Sequence, residues 1–571
     1  MPYHAPVAEF RFLFDHVVGF DQVAATSLFA EAGGDMTAAV LTEAGRLCDD
    51  VLAPLQRSGD MHPARLENGV VRCPPGFADG YRAIALGGWV GISAPATHGG
   101  LGLPMALTTA VNEMMAGACL ALQLNPLMSQ GQIEALDHHA SAAIKALYLP
   151  KLISGDWCGT MNLTEPQAGS DVGALRSRAV PSGDGTYALT GQKIFISWAD
   201  NDFTANVCHL VLARLPGGGP GTRGISLFMV PKYLPDAEGN PGAANTLKVV
   251  SLEHKLGLHG SPTAVMQYDG ATGWLIGAEH QGMKAMFTMM NNARLGVGVQ
   301  GIGVAEAACQ QALAFASGRN QGVTPVPGTG AIIDHADVRR MLAAMRASTF
   351  AARAIALACA VATDMGRAAD MAERAAWQAR AAFLTPIVKA YGTDTGIAVA
   401  SAGIQVHGGM GYIEETGAAQ YLRDVRVTAI YEGTNGIQAM DLVGRKLADG
   451  GEAAFRLLDE IEAGAEAARV ALPDLAGDLW AGAEALREAT EWLLTQQPND
   501  RFAGAVAYLR AFALVLGGHF HLRAALAGSS ARGALARVFI RRLLPEHVGL
   551  LIEAREGAAG LYDLGPDDLA A

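Results

Sequence analysis

The sequence is poor in cysteine and has no obvious metal ligands. Its seven cysteines are scattered, the last of them at Cys359, and no two are spaced as CxxC. An odd number of scattered cysteines without this spacing argues against both a disulfide framework and a zinc site. The histidines also lack the spacing of paired metal ligands. We therefore predict no metal site.

Positive charge is scarce as well. The chain has 42 Lys and Arg against 55 Asp and Glu, and its formal net charge is −13. A negative whole-molecule field disfavours nonspecific binding to DNA or to anionic lipid. An anionic ligand must therefore be bound by local positive groups.

Uninterrupted apolar runs and a targeting segment are also missing. Half of the residues are hydrophobic and the mean hydropathy is +0.20, yet charged residues interrupt each apolar run. None reaches the length of about 18 residues that a membrane span needs. The N-terminus has no basic region followed by an apolar core, and Glu9 comes early. We expect a cytoplasmic protein without a transmembrane segment.

The chain of 571 residues is too long for a single hydrophobic core. The spacing of its apolar residues changes several times along the sequence. Apolar spacing is helical up to about residue 158, and short β-rich runs separated by Gly and Pro fill 159–280. Helical spacing returns over 281–449, broken by a Pro/Gly loop at 322–330. A tail of about four helices is predicted over 450–571, after the Gly450-Gly451 pair.

Three short motifs suggest a function. Residues 163–171 read LTEPQAGSD, residues 405–412 read QVHGGMGY, and residues 431–438 read YEGTNGIQ. Alone, the last motif is explained by a helix N-terminus, with Thr434 or Asn435 as the cap and Glu432 near the positive helix end. Together and in this order, the motifs resemble the acyl-CoA dehydrogenase family of flavoproteins. The length and tail resemble its long bacterial subgroup with an extra C-terminal helical domain.

The resemblance implies an α+β, mostly α fold. It predicts an N-terminal helical domain at 1–158, a middle β-barrel-like domain at 159–280, a flavin-binding and catalytic four-helix bundle at 281–449 and a C-terminal helical bundle at 450–571. The implied reaction is FAD-dependent α,β-dehydrogenation of an acyl-CoA to a trans-2-enoyl-CoA. The acyl group is left open between 3-methylmercaptopropionyl and a medium- or long-chain fatty acyl group. Implied partners are an electron-transfer flavoprotein and a second copy, in a homodimer or dimer of dimers.

Glu432 corresponds to the catalytic base of the family. The α-proton of a thioester is weakly acidic, and a carboxylate between Tyr431 and Gly433 has few solvating partners, which raises its pKa toward neutrality. In the family, the N–H of this residue also holds the enolate oxygen. The implied substrate-binding residues are Ser170, Asn291, Arg294, Tyr431 and Gly433, with Asn291 standing where several relatives have Asp.

The implied FAD-binding residues come from separate parts of the sequence. Those of the loop along the flavin ring are Met161, Leu163, Thr164, Gly169 and Ser170. Phe195 and Ser197 correspond to residues that cover the flavin face, where many members have Trp and Thr. The others are Arg319, Gln321, Gln405, Gly409 and Thr434. In the family, the Gln405 and Gly409 segment reaches the FAD of the neighbouring subunit.

Three other interpretations compete with this one. Residues 296–301 fit GxGxxG, but without a preceding strand or a βαβ unit they indicate close helix packing rather than dinucleotide binding. An alkylation-response-type, flavin-containing DNA-binding relative is the alternative function, although the acidic tail disfavours it. Membrane association through Arg537, Arg541 and Arg542 is the third, and a solvated helix face explains that cluster better.

Overall fold

The computed structural model describes residues 3–325 and 328–571, so residues 326 and 327 of the predicted 322–330 loop lie outside the described residues. The N-terminal part is helical, as predicted. Its helices are α1 (Val7–His16), α2 (Phe20–Ala24), α3 (Gly34–Arg46), α4 (Ala53–Met61), α5 (Phe77–Leu86), α6 (Met105–His139) and α7 (Ala142–Ser154). Helix α6 contains one non-helical residue, Cys119, which divides it into two helical segments joined by a kink.

A β-hairpin that the helical pattern did not predict interrupts these helices. Its strands, β1 (Arg65–Glu67) and β2 (Val70–Arg72), are joined by Asn68 and Gly69. Both turn residues have positive φ, 51° and 78°. Asn-Gly is the favoured pair for a two-residue turn in which both residues are left-handed. The Asn-Gly pair was therefore the feature of the sequence that indicated this hairpin.

The middle part is a β-barrel-like sheet. Its strands are β3 (Trp157–Asn162), β4 (Arg178–Pro181), β5 (Tyr187–Ser197), β6 (Asn206–Arg214), β7 (Ile225–Pro231), β8 (Tyr233–Pro235), β9 (Pro241–Ala244), β10 (Leu247–Leu252) and β11 (Thr263–Ile276). Seven strands form one sheet in the order β10-β11-β5-β4-β6-β3, and β7 pairs with both β11 and β6. Since β11, β5, β4, β6 and β7 thus close on themselves, the barrel-like prediction is confirmed. Strands β8 and β9 form a separate pair.

Long helices return after the barrel. They are α8 (Gly282–Gly318), α9 (Ala336–Ala368) and α10 (Met371–His407), followed by the shorter α11 (Ala418–Val425) and α12 (Asn435–Asp441). The GxGxxG residues lie inside α8. A Cβ at Gly298 would lie 2.6 Å from the carbonyl oxygen of Val388, and one at Gly301 would overlap the carbonyl of Gly392. Close packing of α8 on α10 therefore explains this motif, as predicted.

The tail is a second helical bundle. It contains α13 (Glu452–Ala468), α14 (Pro473–Thr495), α15 (Pro498–Ala503), α16 (Ala505–Ala527), α17 (Ser530–Val538), α18 (Glu546–Arg555) and α19 (Pro566–Ala570). The expected four helices are thus three long helices and four shorter ones. Arg380 of α10 pairs with Glu460 of α13, which fastens the tail to the preceding bundle.

Three helices of the described chain, α6, α9 and α16, are long and apolar enough, by length and composition alone, to cross a membrane. In the fold, 100%, 83% and 89% of their most apolar windows are buried inside the protein. Their apolar residues therefore pack against other helices of this chain.

Candidate active site

Glu432 lies on the loop between α11 and α12, in a conformation that a glutamate rarely adopts. Its φ is 58°, and Gly433 after it has a φ of 85°. A left-handed backbone at a residue with a side chain is strained and persists only where neighbours hold it. Gln438 supplies part of that hold, since its Nε2 donates to the carbonyl oxygens of Glu432 at 3.2 Å and Gly433 at 3.4 Å. Thr434 caps α12 by accepting from the N–H of Ile437 at 3.4 Å, as predicted.

The surroundings of Glu432 prepare its carboxylate to take up a proton near neutral pH. Burial raises the pKa of Glu432 to about 7, and the positive charges of Arg294 and Lys389 partly oppose this shift. Within the described chain, the N–H of Glu432 donates to no other protein group. The loop therefore presents both a base and a free hydrogen-bond donor.

A cavity of about 360 Å³ lies beside Arg294, between α6, α8, α9 and α10. Asn291 and Arg294 line it, as do Arg367 and Lys446. Neither Arg367 nor Lys446 forms an ion pair among the described residues. Glu134 and Asp441 also line the cavity, so three cations face two carboxylates and the lining carries a small positive excess. The other three predicted substrate-binding residues, Ser170, Tyr431 and Gly433, are not among its lining.

Tyr431 begins a chain of buried polar side chains that sequence reasoning missed. Its hydroxyl donates to Gln300 Oε1 at 2.5 Å, and Gln300 Nε2 donates to Gln123 Oε1 at 2.8 Å. Gln300 and Gln123 are fully or almost fully buried, on α8 and α6. Buried amides are hydrogen-bonded in nearly all proteins, so this chain fixes the position of Tyr431 relative to both helices.

The predicted flavin loop is held in place by a buried lysine, Lys193 of β5. Its Nζ donates to the carbonyl oxygen of Leu163 and to Glu165 Oε1, both at 2.9 Å. Glu165 also accepts from the N–H groups of Arg176 at 2.6 Å and Ser177 at 3.0 Å. Although burial opposes ionisation, Lys193 and these donors lower the pKa of Glu165 to about 2. The pair is therefore charged, and it ties the loop to the barrel.

The same loop leaves several backbone donors free. Met161 ends up in β3, paired with Leu210 of β6, and the loop begins after this strand. Among the described residues, the N–H groups of Thr164, Gly169 and Ser170 donate to no other protein atom. A row of unused donors on a fixed loop suits a flat ligand with a polar edge.

A β-bulge presents Phe195 beside this loop. Lys193 pairs with Met266 and Ile196 with Ala264, so two residues of β5 stand opposite one residue of β11. The bulged Phe195 has a φ of 59° and is 60% exposed. A bulge redirects a side chain, and here it turns an aromatic ring out of the barrel, where it can cover one face of a planar ligand. Ser197 follows on the same strand, half-buried.

The barrel and the Glu432 loop meet at the irregular middle of α6. Trp198 directly follows Ser197, and its Nε1 donates to the carbonyl oxygen of Ala121 at 3.1 Å. Gln123, two residues further, carries the hydrogen-bonded chain to Tyr431. The structure therefore brings the flavin-loop and flavin-face candidates to the same region as the candidate base.

Four predicted cofactor residues lie elsewhere. Arg319 and Gln321 follow the C-terminus of α8, whereas Arg294 lies near its N-terminus, about 37 Å away at the usual helical rise. Gln405 lies in the last turn of α10, about 24 Å along that helix from Lys389. Gly409 lies just after the end of the helix. The two ends are neighbours, since Gln311 of α8 donates to the carbonyl oxygen of Thr416 at 2.7 Å. These four residues therefore form a second group, at the ends of α8 and α10 that are distant from Arg294 and Lys389.

Comparison with known proteins covers nearly the whole chain. Residues 37–156 match the acyl-CoA dehydrogenase N-terminal domain, residues 160–271 its middle domain and residues 280–447 its C-terminal domain. Residues 457–565 match the family described as acetyl-CoA dehydrogenase C-terminal like. The C-terminal tail therefore matches a domain family that is distinct from the three preceding domains.

Two curated relatives illustrate the similarity. The chain is 47% identical over 524 residues to 3-methylmercaptopropionyl-CoA dehydrogenase of Ruegeria pomeroyi, which covers 89% of this chain and 88% of that protein. It is 35% identical over 417 residues to a butyryl-CoA dehydrogenase of Syntrophomonas wolfei, covering 70% and 68% of the two chains.

Solved structures share the fold at lower sequence identity. An acyl-CoA dehydrogenase from Bacillus anthracis complexed with FAD superposes with a TM-score of 0.74 at 20% identity, covering 95% of this chain and 91% of that one. Butyryl-CoA dehydrogenase from Megasphaera elsdenii superposes with a TM-score of 0.60 at 23% identity, covering 73% and 99%. The larger coverage in the first case extends the shared fold over most of this chain.

Proposed function

The chain belongs to the acyl-CoA dehydrogenase family, and on that premise we propose that Glu432 is the base of its FAD-dependent α,β-dehydrogenation. The observation that carries the proposal is the left-handed, half-buried Glu432, whose carboxylate lies in the field of Arg294 and Lys389. A carboxylate that titrates near neutrality is matched to removing a weakly acidic α-proton. The free N–H of the same residue is the donor for the thioester oxygen, where negative charge develops.

The residues around Phe195 fit the flavin of FAD. A flat ring with a polar edge matches the exposed aromatic ring of Phe195 and the unused N–H groups of Thr164, Gly169 and Ser170. Bound FAD supplies the acceptor for the hydride that leaves the β-carbon. The chain's own contribution is to hold the thioester so that its α-proton faces Glu432, and to exclude water from that carboxylate.

The cavity beside Arg294 is the proposed site of the coenzyme A arm. Arg367 and Lys446 give it the cations that phosphate groups need, and Asn291 adds an amide that can pair with the pantetheine chain. Because the cavity lies on the N-terminal side of Gln300 along α8, the acyl group of a thioester held at Glu432 points toward Gln300.

We propose that the acyl pocket is short. Gln300 lies about 9 Å beyond Arg294 along α8, and its bonds to Tyr431 and Gln123 close the space between α8 and α6. Beyond it the helices pack directly, since a Cβ at Gly303 would lie 2.6 Å from the carbonyl oxygen of Glu113. The similarity to 3-methylmercaptopropionyl-CoA and butyryl-CoA dehydrogenases supports a short acyl thioester as substrate, with 3-methylmercaptopropionyl-CoA as the first choice.

Anaerobic bleaching of the bound flavin by a series of acyl-CoA thioesters tests this function. We expect 3-methylmercaptopropionyl-CoA and butanoyl-CoA to bleach the wild-type holoenzyme faster than octanoyl-CoA, and palmitoyl-CoA to be slowest. Gln300→Ala should raise the rate with octanoyl-CoA relative to butanoyl-CoA by about tenfold or more, since small changes in pocket size are worth that much. Gln300→Leu, which keeps the bulk, should preserve the short-chain preference. Equal rates with palmitoyl-CoA and butanoyl-CoA would refute the short pocket, and no bleaching by any thioester would refute the activity.

The Lys193 to Glu165 pair gives a separate prediction about the cofactor. Lys193→Met leaves the Leu163 carbonyl without its lysine donor and the buried Glu165 without its cation, so the flavin loop loses its fixed position. Charged hydrogen bonds of this kind are worth about 1.5–3 kcal/mol, and we expect FAD to bind about 10 to 100 times more weakly, by titration of apoprotein. Lys248→Met removes an exposed lysine of the same barrel, paired with Asp269 at 3.7 Å, and should bind FAD normally. Unchanged affinity in Lys193→Met would show that the pair does not shape the flavin site.

The separation of the two residue groups supports a homodimer or a dimer of dimers. Arg319, Gln321, Gln405 and Gly409 lie too far from the Glu432 loop to serve the same FAD, so we propose that they bind the cofactor of a second copy. The surface beside Gly409 suits such an interface, because Tyr412 is 85% exposed there. We further propose an electron-transfer flavoprotein as electron acceptor and a cytoplasmic location.

A further inference from the structure

We propose that Lys389 is a positioning residue for the catalytic base, holding the Glu432 loop through Asn435 and supplying the unbalanced positive charge that favours ionised Glu432. This inference rests on the proposed role of Glu432. It goes beyond that role by assigning a second buried residue to the acid–base chemistry. The sequence motifs did not single out Lys389, which lies in the middle of α10.

The contacts of Lys389 lead directly to the Glu432 loop. Lys389 is fully buried, and its Nζ donates to Asn435 Oδ1 at 2.9 Å. Asn435 is the first residue of α12, three positions after the base. Its amide nitrogen donates to Asp394 Oδ1 at 2.7 Å and to Thr393 Oγ1 at 3.0 Å. Because the amide nitrogen is thus engaged, the amide oxygen is fixed toward Lys389.

The charge of Lys389 is not balanced in the way that the charge of Arg294 is. Arg294, on α8, forms an ion pair with Asp441 of α12 at 3.7 Å. Asp441 forms a second ion pair with Arg445 at 2.5 Å. Lys389 instead donates to the neutral amide of Asn435, which separates it from Asp394. Among the described residues, no carboxylate forms an ion pair with Lys389. Its field therefore acts on two nearby carboxylates that have no ion-pair partner among the described residues, Glu432 and Asp394, and more strongly on Glu432.

The two groups titrate within about one unit of each other, near neutral pH. Burial lowers the pKa of Lys389 to about 8, with Glu432 and Asp394 opposing the shift. Burial likewise raises the pKa of Glu432 to about 7. Since Glu432 must be deprotonated to act as a base, the rate should rise with pH through that pKa. Loss of the Lys389 charge raises the pKa of Glu432 and moves this rise to higher pH.

The test compares Lys389→Met with Lys389→Arg in the holoenzyme. The first measurement is the pH dependence of anaerobic flavin bleaching by butanoyl-CoA. The second is an infrared titration of the Glu432 carboxyl, identified as the band that Glu432→Gln removes. An opposite charge within a few ångströms shifts a carboxyl pKa by about one to three units. We expect the acid limb and the infrared titration to move up by about one unit or more in Lys389→Met, and to stay near the wild-type position in Lys389→Arg.

Asn435→Asp keeps the test decisive if Lys389→Met does not fold. This substitution preserves size but gives Lys389 an ion-pair partner, so the acid limb and the carboxyl titration should again move to higher pH. A purely structural role predicts lower rates at every pH with the acid limb unmoved, and that result in both variants would overturn the proposal. Absence of bleaching in the wild-type enzyme would instead contradict the proposed function, which separates the two failures.

Discussion

Glu432→Gln is expected to retain bound flavin but to lose its reduction by acyl-CoA. The amide has nearly the size of the carboxylate and keeps the backbone N–H, so the loop and the thioester oxygen contact should persist. It cannot accept the α-proton. General-base catalysis contributes about 10²- to 10⁴-fold, and the bleaching rate should fall by at least that factor. Stopped-flow absorbance with 3-methylmercaptopropionyl-CoA and butanoyl-CoA measures it.

The matched control is Glu238→Gln, which removes an exposed carboxylate of the turn between β8 and β9. It should bleach at the wild-type rate, because Glu238 lies outside both groups of candidate site residues. The flavin content of both variants should equal that of the wild type. Rapid bleaching in Glu432→Gln would show that another residue takes the proton, and the assignment of the base would be wrong.

The residues that stand out in the sequence are those that lie within a short local motif. Thr434 caps α12 because a hydroxyl residue directly precedes a helical run. Glu432 stood out as a single carboxylate beside Gly433, and its left-handed backbone is the structural counterpart of that pattern. Strand β5 was also predictable from the sequence, because it is rich in β-branched and aromatic residues.

The alternation along β5 misleads at the site itself. A regular strand places Lys193, Phe195 and Ser197 on one face, since side chains alternate. The bulge at residues 194 and 195 breaks this period, so Lys193 is buried while Phe195 is exposed. Bulge positions depend on pairing with β11, which lies far along the chain. A local pattern therefore cannot place them.

Residues that act through long-range contacts were not predictable. Gln123 and Gln300 are 177 positions apart, and only the packing of α6 on α8 joins them. Lys389 and Asn435 are 46 positions apart and meet because α12 packs against α10. A glutamine or lysine in a long apolar helix is a signal that a partner is needed, because buried polar groups are rarely left unpaired. It does not say which partner.

Arg353→Met is expected to destabilise the fold more than any other single change described for this chain. Arg353 of α9 is almost completely buried, and its guanidinium donates to Glu113 Oε1 of α6 and to Glu306 Oε2 of α8, both at 2.7 Å. It thereby joins the N-terminal helical part to the bundle that carries Glu432. Removing one partner of a buried ionic group costs about 3–5 kcal/mol, because the remaining charges stay buried. Urea unfolding at saturating FAD should show a correspondingly lower midpoint.

Two further variants decide whether the lost ion pairing is the cause. Arg340→Met removes an exposed arginine of the same helix, paired with Asp337 at 2.8 Å, and should shift stability by no more than about 0.5 kcal/mol. Arg353→Met combined with Glu113→Gln should recover part of the loss, since Glu306 keeps Arg346 at 2.8 Å and the one carboxylate left without a cation, Glu113, is gone. If the double variant is instead less stable than Arg353→Met alone, lost packing of the long arginine side chain, rather than buried charge, explains the effect. A wild-type midpoint in Arg353→Met would show that the helices are held together without this network.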